Sequence, residues 1–180
     1  MVGEQKKSRS HAAVAGLVLA AGMCSLVGWT AGVVVVAGTW VVPDWAVSGG
    51  LLVVAFAVAL IRWVRMAWPF GLVAVGTSLA VALSWVGDRS ATYTVLPAAP
   101  GGCHVVVRET SFLFAGDGEV FLTTPLGIGL GRGTYVTDDG YRPVTVGNYV
   151  FGWENGIGSL RLTGKPGDPI LRSSVRTLEC

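Results

Sequence analysis

Residues 12–42 have the sequence AAVAGLVLAAGMCSLVGWTAGVVVVAGTWVV, in which no side chain carries a charge. A helix crosses the hydrocarbon core of a bilayer with about 20 apolar residues, so this run is long enough for a span with an extra turn or two. Two further apolar runs follow it, and Pro43-Asp44 and Trp68-Pro69 separate the three. The sequence therefore predicts three transmembrane helices joined by short loops, over residues 12–38, 46–67 and 70–87.

The density of charge changes abruptly near residue 88. Charged residues form 13% of the chain and apolar residues 52%, and the charged share is about half that of an ordinary soluble domain. Between residues 12 and 87 the charged residues are Asp44, Arg62 and Arg65. From residue 88 onward acidic and basic residues are common and nearly balanced. The C-terminal part is thus close to neutral, which argues against nucleic-acid binding, because that function needs a basic patch or stripe.

Basic residues predict the orientation of these spans. Lys6, Lys7 and Arg9 precede the first span, and Arg62 and Arg65 lie at the second connection. Such residues in short loops mark the cytoplasmic side. Tryptophans near the span ends suit the aromatic belts of a bilayer: Trp40, Trp45, Trp63, Trp68 and Trp85. We therefore expect a multi-pass protein of the plasma membrane, with residues 1–11 as a cytoplasmic tail and the C-terminal domain outside.

Two other interpretations of the first apolar run fit less well. A cleaved secretory signal over residues 1–37 would have an apolar region about twice the usual 7–15 residues. Buried helices of a soluble protein would show a polar face, and these runs show none.

Small residues recur at every fourth position of the first predicted span. Residues with small side chains at this spacing let helix backbones approach closely in lipid. This ridge would pack the three helices together or dock the helix of a partner; the alternative is that small residues are simply common in this chain. The ridge comprises Ala12, Gly16, Ala20, Cys24, Gly28 and Gly32.

Turn signals divide the C-terminal part into short segments. Residues 88–102 contain a Pro, Ala and Gly-rich stretch and are predicted to be a linker. Residues 103–180 are predicted to form a small antiparallel β meander or sandwich, because dipeptides that favour positive φ angles punctuate them. These dipeptides are Asp117-Gly118, Asp139-Gly140, Gly147-Asn148 and Asn155-Gly156.

Two of these turns predict the pairing of side chains. A two-residue turn at Asn155-Gly156 would pair residues 149–154 with 157–162, leaving one apolar face for the core and one polar face for solvent. A turn at Asp117-Gly118 would set Phe114 beside Phe121 and Leu113 beside Leu122. Both faces of that second hairpin would be apolar. It would then be central in a two-layer domain or rest on the membrane helices.

Cysteine positions favour a disulfide. Cys103 opens the first predicted strand of the domain and Cys180 is the last residue, whereas Cys24 lies in the first predicted span. Outside the cytoplasm Cys103 and Cys180 could form a lasting bridge. Closing a loop of about 78 residues would stabilise the fold by roughly 4.5 kcal/mol on the loop-entropy model. The alternative is two free thiols.

No arrangement of residues predicts catalysis, a metal site or a cofactor. His104 has no partners at catalytic or metal-ligand spacing. Glycines at alternate positions from 127 to 133 match neither a P-loop nor a dinucleotide fingerprint. They indicate a flexible loop, or a segment with one bare side that another backbone can approach. In the second case Ile128, Leu130 and Arg132 are a candidate contact surface.

The sequence thus predicts a membrane α + β protein, with a three-helix transmembrane hairpin bundle followed by an extracytoplasmic β domain. We expect no enzymatic activity. The expected function is in the bacterial cell envelope, where the β domain would bind a membrane-protein partner, join a complex as an accessory subunit or form a homo-oligomer. The alternative is a membrane-anchored sensor or regulator that binds a small ligand or an envelope glycan.

Overall fold

The structure, a computed structural model of the chain, describes residues 2–62, 68–164, 170–175 and 177–180. Within them lie three helices: α1 (Val2–Ala31), α2 (Asp44–Arg62) and α3 (Trp68–Asp88). The strands are β1 (Val33–Ala37), β2 (Trp40–Pro43), β3 (Thr92–Val95), β4 (Val105–Phe112), β5 (Ala115–Thr123), β6 (Ile128–Asp138), β7 (Tyr149–Glu154), β8 (Ile157–Leu162), β9 (Ile170–Ser173) and β10 (Leu178–Glu179). The chain divides into a helical unit, Met1–Thr30 with Pro43–Val86, and a β unit, Ala31–Val42 with Gly87–Cys180.

The predicted three-helix transmembrane bundle is wrong. Among the described residues α3 is the one helix long and apolar enough to cross a membrane. The apolar parts of α1 and α2, Ala12–Gly28 and Asp44–Ala59, are shorter. The fold is therefore α+β, with a large antiparallel sheet and a single candidate span, and it gives no support to a multi-pass arrangement. Trp63 and Arg65, at the end of the predicted second span, lie outside the described residues.

The first apolar run fails as a span because the chain changes conformation at Gly32. This glycine has a φ of 57°, a left-handed conformation that commonly ends helices. The four valines that follow are β-branched and favour a strand, and they form most of β1. A second glycine with positive φ, Gly38 at 64°, turns the chain into β2. Hydrophobicity alone does not distinguish these two strands from a continuation of the helix α1.

The β unit contains two antiparallel sheets. The large sheet has the order β2-β1-β6-β5-β4-β3, and β9 also pairs with β6. The small sheet has the order β10-β8-β7. β1 and β2 therefore enter a sheet whose other strands follow α3, and β3 lies within the segment predicted as a linker.

The predicted β7–β8 hairpin is confirmed. Tyr149 pairs with Leu162 and Glu154 with Ile157, in the register that a two-residue turn sets. Asn155 and Gly156 both have positive φ, at 50° and 79°. The apolar face packs against the core between the sheets through Tyr149, Phe151, Trp153, Leu160 and Leu162.

The predicted turn at Asp117-Gly118 is wrong. The chain turns at Leu113-Phe114 instead, since Phe112 pairs with Ala115, and Asp117 lies within β5 opposite Thr110. Gly118 serves close packing: a Cβ there would overlap the ring of Tyr135 on β6. The dipeptide thus has the composition of a turn but occupies a strand where a neighbouring ring leaves no room for a side chain.

Three buried clusters organise the fold. The main core lies between the two sheets and includes Val105 and Val107, which alternate along β4, and Val120 on β5. A second cluster lies on the opposite face of the large sheet, around Val106 and Phe121. The helical unit has its own cluster, formed by Val14, Val18, Ala55 and Ala74.

Candidate functional site

The candidate contact surface predicted on the glycine-alternating segment is on β6. Ile128 and Leu130 are 46% and 43% exposed. β1 pairs with this part of β6, so that Val33 lies opposite Leu130 and Val35 opposite Ile128. Directly opposite residues project from the same face of a sheet. These four residues therefore form one apolar strip, which we call the β1–β6 strip.

Arg132 is adjacent to this strip. Phe121 on β5 pairs with Gly131 and Val120 pairs with Gly133, so that Arg132 has no partner on β5 and forms a β-bulge. Its side chain is exposed. Bulges redirect side chains at sheet edges and functional sites, and this one places a cation beside an apolar strip.

Three of the four glycines of this segment are covered by other parts of the β unit. A Cβ at Gly127 would overlap the carbonyl oxygen of Val36, and one at Gly129 would lie 2.7 Å from the Val34 side chain. At Gly133 the Cα of Val175 would lie 2.5 Å away. The segment is thus a strand and not a flexible loop, and β1 and residues 174–175 take the space that a ligand would need.

The residues of the predicted small-residue ridge differ in their surroundings. A Cβ at Gly16 would meet nothing within 4 Å, whereas one at Gly28 would overlap the side chain of Asp44. Ala20 and Cys24 are half-buried, and Gly32 lies beyond the end of α1. The buried stripe of α1 is formed instead by Val14, Val18 and Ala21.

Cys103 and Cys180 are joined in the structure, with a sulfur–sulfur distance of 2.09 Å. Cys103 is 5% exposed and belongs to the main core. The chain end is also held by β10, in which Leu178 pairs with Gly158, and by a hydrogen bond that the Cys180 amide donates to the Gly156 carbonyl at 3.0 Å. The bridge therefore ties the last strand of the small sheet to the start of β4.

The sequence analysis did not identify a buried carboxylate, that of Glu109. This residue is 1% exposed. It accepts hydrogen bonds from the Tyr135 hydroxyl at 2.6 Å, the Val144 amide at 3.0 Å, and the Thr145 amide and hydroxyl, both at 2.6 Å. The alternation of residues indicated this burial, since Val105, Val107 and Glu109 share the core-facing side of one strand.

The donors around Glu109 define its chemistry. Four hydrogen bonds occupy both carboxylate oxygens, so that no acceptor position remains for a substrate proton. Burial, together with this carboxylate, raises the pKa of Tyr135 well above its ordinary range. The group is therefore a structural anchor that fixes the segment after β6 onto the sheet.

A second polar cluster lies on the opposite face of β4. Arg108 Nε contacts Asp88 Oδ1 at 2.8 Å, and Arg108 Nη1 contacts Glu119 Oε2 at 3.1 Å. The Tyr93 hydroxyl donates to Asp88 at 2.9 Å. Burial raises the pKa of Tyr93, and the Asp88 charge adds to the effect. Within the β unit, this cluster joins Asp88 to β3, β4 and β5.

Among the described residues no group of three His, Cys, Asp or Glu side chains could hold a metal ion. No known protein family, curated protein or solved structure matches the chain in comparisons of sequence and structure. The β1–β6 strip with Arg132 is the candidate site that these observations leave.

Proposed function

We propose that this chain is a non-enzymatic protein of the bacterial cell envelope, attached to the membrane through α3, whose β unit lies outside the cytoplasm and binds a partner protein. The observation that carries the proposal is the β1–β6 strip beside Arg132, in which Ile128 and Leu130 are exposed. Exposed apolar patches rimmed by polar residues mark interaction surfaces.

The exposure of α3 supports an anchor. Its large apolar side chains include Leu72, Leu79 and Leu83, which are 63%, 60% and 65% exposed. In water such a surface would be costly, whereas lipid would accommodate it.

Redox chemistry supports the compartment. The Cys103–Cys180 pairing favours an oxidising compartment for the β unit, because thiols in the cytoplasm are kept reduced. The pairing therefore supports a position of the β unit outside the cytoplasm.

The partner we propose is a protein with an apolar contact surface and an acidic residue positioned for Arg132. A photo-crosslinking amino acid in place of Leu130 should form a covalent adduct of defined mass in intact cells. The same amino acid in place of Val150, which is 67% exposed on β7, is the matched control. An adduct of twice the chain mass would identify a homo-oligomer.

Substitution tests the same surface. Ile128→Asp with Leu130→Asp should abolish co-purification of the crosslinked partner from mild detergent, whereas Val150→Asp should preserve it. A clean monomer at native expression, with no adduct at residue 130, would contradict the proposal.

Cysteine labelling tests the orientation. In a Cys24→Ala background, a membrane-impermeant maleimide should label intact cells only after a reductant opens the bridge. Labelling that needs cell lysis but no reductant would place the β unit inside. The alternative function, a sensor of a small ligand, has less support because the chain itself covers Gly127, Gly129 and Gly133.

A further inference from the structure

The tip of the β4–β5 hairpin is apolar and exposed. Phe112, Leu113 and Phe114 are 77%, 75% and 77% exposed. No other described run of three consecutive residues has large apolar side chains exposed to this degree. Three such residues together at the end of a hairpin form a compact apolar projection, which we call the apolar tip.

The local backbone makes this choice of residues costly. Leu113 has a φ of 53°, in the left-handed region that Gly, Asn and Asp occupy in two-residue hairpin turns. A branched apolar residue there costs about 1–2 kcal/mol. Turn formation therefore disfavours leucine at this position, and an outlier of this kind points to a function.

The apolar tip also lies near the point where the chain leaves α3. Asp88, the last residue of α3, is bound to Arg108. Phe112 follows Arg108 by four residues on β4, which corresponds to about 13 Å along a strand. Thr92, the first residue of β3, pairs with Glu109 in the same part of the sheet. The tip is therefore close to Asp88, the residue at which α3 ends.

We propose that the apolar tip inserts into the interfacial layer of the lipid bilayer to which α3 attaches the chain. The inference rests on the proposed anchor. The free energy of phenylalanine and leucine side chains falls when they leave water for this layer. Insertion would give the β unit its own attachment to the membrane.

The attraction is expected to be apolar and not electrostatic. Arg142 lies near the same end of the sheet, where it donates to the Thr92 hydroxyl at 3.0 Å. Asp138 ends β6, where it pairs with Ala115, and Asp139 follows it in the turn. Because these two acids outnumber the cation, anionic lipid should not be required, and uncharged phosphatidylcholine vesicles are a sufficient probe.

Fluorescence quenching in reconstituted vesicles tests the inference with the full chain. In a Cys24→Ala background with the disulfide intact, an environment-sensitive fluorophore is attached through Ala115→Cys, next to the tip. The control attaches it through Val150→Cys. Lipids with a spin label near the headgroup should quench emission at residue 115 and leave emission at residue 150 unchanged.

A second variant removes two of the three residues of the apolar tip and keeps the turn. Leu113→Asn with Phe114→Gly supplies the residues that a hairpin turn favours, so the fold should persist. Quenching at residue 115 should then be lost. Quenching that persists in this variant, or quenching of equal size at residue 150, would overturn the inference.

Alkaline carbonate extraction separates the two proposals. If the chain stays in the vesicles and residue 115 is not quenched, the anchor stands and tip insertion is overturned. If carbonate releases the chain, the α3 anchor fails and tip insertion fails with it. The β1–β6 strip lies at the other end of β4 from the apolar tip, since Val105 pairs with Leu122 and Leu122 pairs with Leu130. A fluorophore at residue 115 therefore does not report on partner binding at the strip.

Discussion

At the scale of single residues, Gly118 shows how close packing constrains the large sheet. A Cβ at this position would overlap the Tyr135 ring, so Gly118→Ala should lower the free energy of unfolding by about 1–3 kcal/mol, the usual cost of overpacking. Chemical denaturation of the full chain in mild detergent measures the change. Gly152→Ala is the matched control, because a Cβ there would meet nothing within 4 Å. Equal effects at the two positions would contradict the packing argument.

Tyr135 makes the stability of the β unit depend on pH in the alkaline range. Burial and Glu109 raise the pKa of Tyr135 above its ordinary 10.0, so the folded state retains a proton that the unfolded state releases. The stability from this group is fully present below about pH 10 and is lost as pH rises further. Tyr135→Phe should cost about 2 kcal/mol at pH 8, because it removes a hydrogen bond to a buried carboxylate, and it should flatten the decline in stability between about pH 10 and pH 11.5. Tyr149→Phe is the control, and a variant with an unchanged alkaline slope would contradict the assignment.

At the scale of elements, Glu109 connects β4 to the segment that follows β6. Glu109→Gln replaces an acceptor oxygen with a donor facing the Thr145 amide and hydroxyl, and should cost about 3 kcal/mol. Hydrogen exchange should speed up at the Val144 and Thr145 amides while β7 and β8 change less. Glu119→Gln removes an ion pair of a carboxylate that is 43% exposed, so it should cost less than about 1 kcal/mol. Uniformly faster hydrogen exchange across the β unit would show that Glu109 stabilises the whole core and not this one segment.

The elements also show which structure the sequence could predict. The β7–β8 hairpin was predictable because its turn residues and its alternating side chains specify one register. The β4–β5 turn was not, because Gly118 has a packing partner that is distant in sequence and Leu113 occupies a conformation that leucine disfavours. The alternation of side chains along β4 indicates that Glu109 faces the core. Its hydrogen-bond donors could not be predicted in this way, because the Val144 amide is 35 residues away in sequence. Local patterns specify local pairs, and the remaining contacts are non-local.

At the scale of the whole molecule, the disulfide stabilises the β unit by restricting the unfolded chain. Cys103→Ser with Cys180→Ser should lower its free energy of unfolding by up to about 4.5 kcal/mol on the loop-entropy model. The denaturation midpoint of the full chain measures the loss, and Cys24→Ala is the control. Since β10 also holds the chain end, a loss near zero would mean that this strand alone restricts the terminus.

The sequence gives no indication of which segments form the β unit, because β1 precedes the helices α2 and α3 and still pairs with β6. A fragment of residues 87–180 lacks β1, which leaves Phe121 and Gly129 without the Val34 side chain that packs near them. Residues 31–43 joined to 87–180 by a Gly/Ser linker restore the native order of strands. This linked fragment should give a dispersed amide NMR spectrum and form the disulfide, whereas residues 87–180 alone should aggregate. If both fragments fold with equal stability, β1 is an accessory strand, and the unit that folds is the contiguous C-terminal segment.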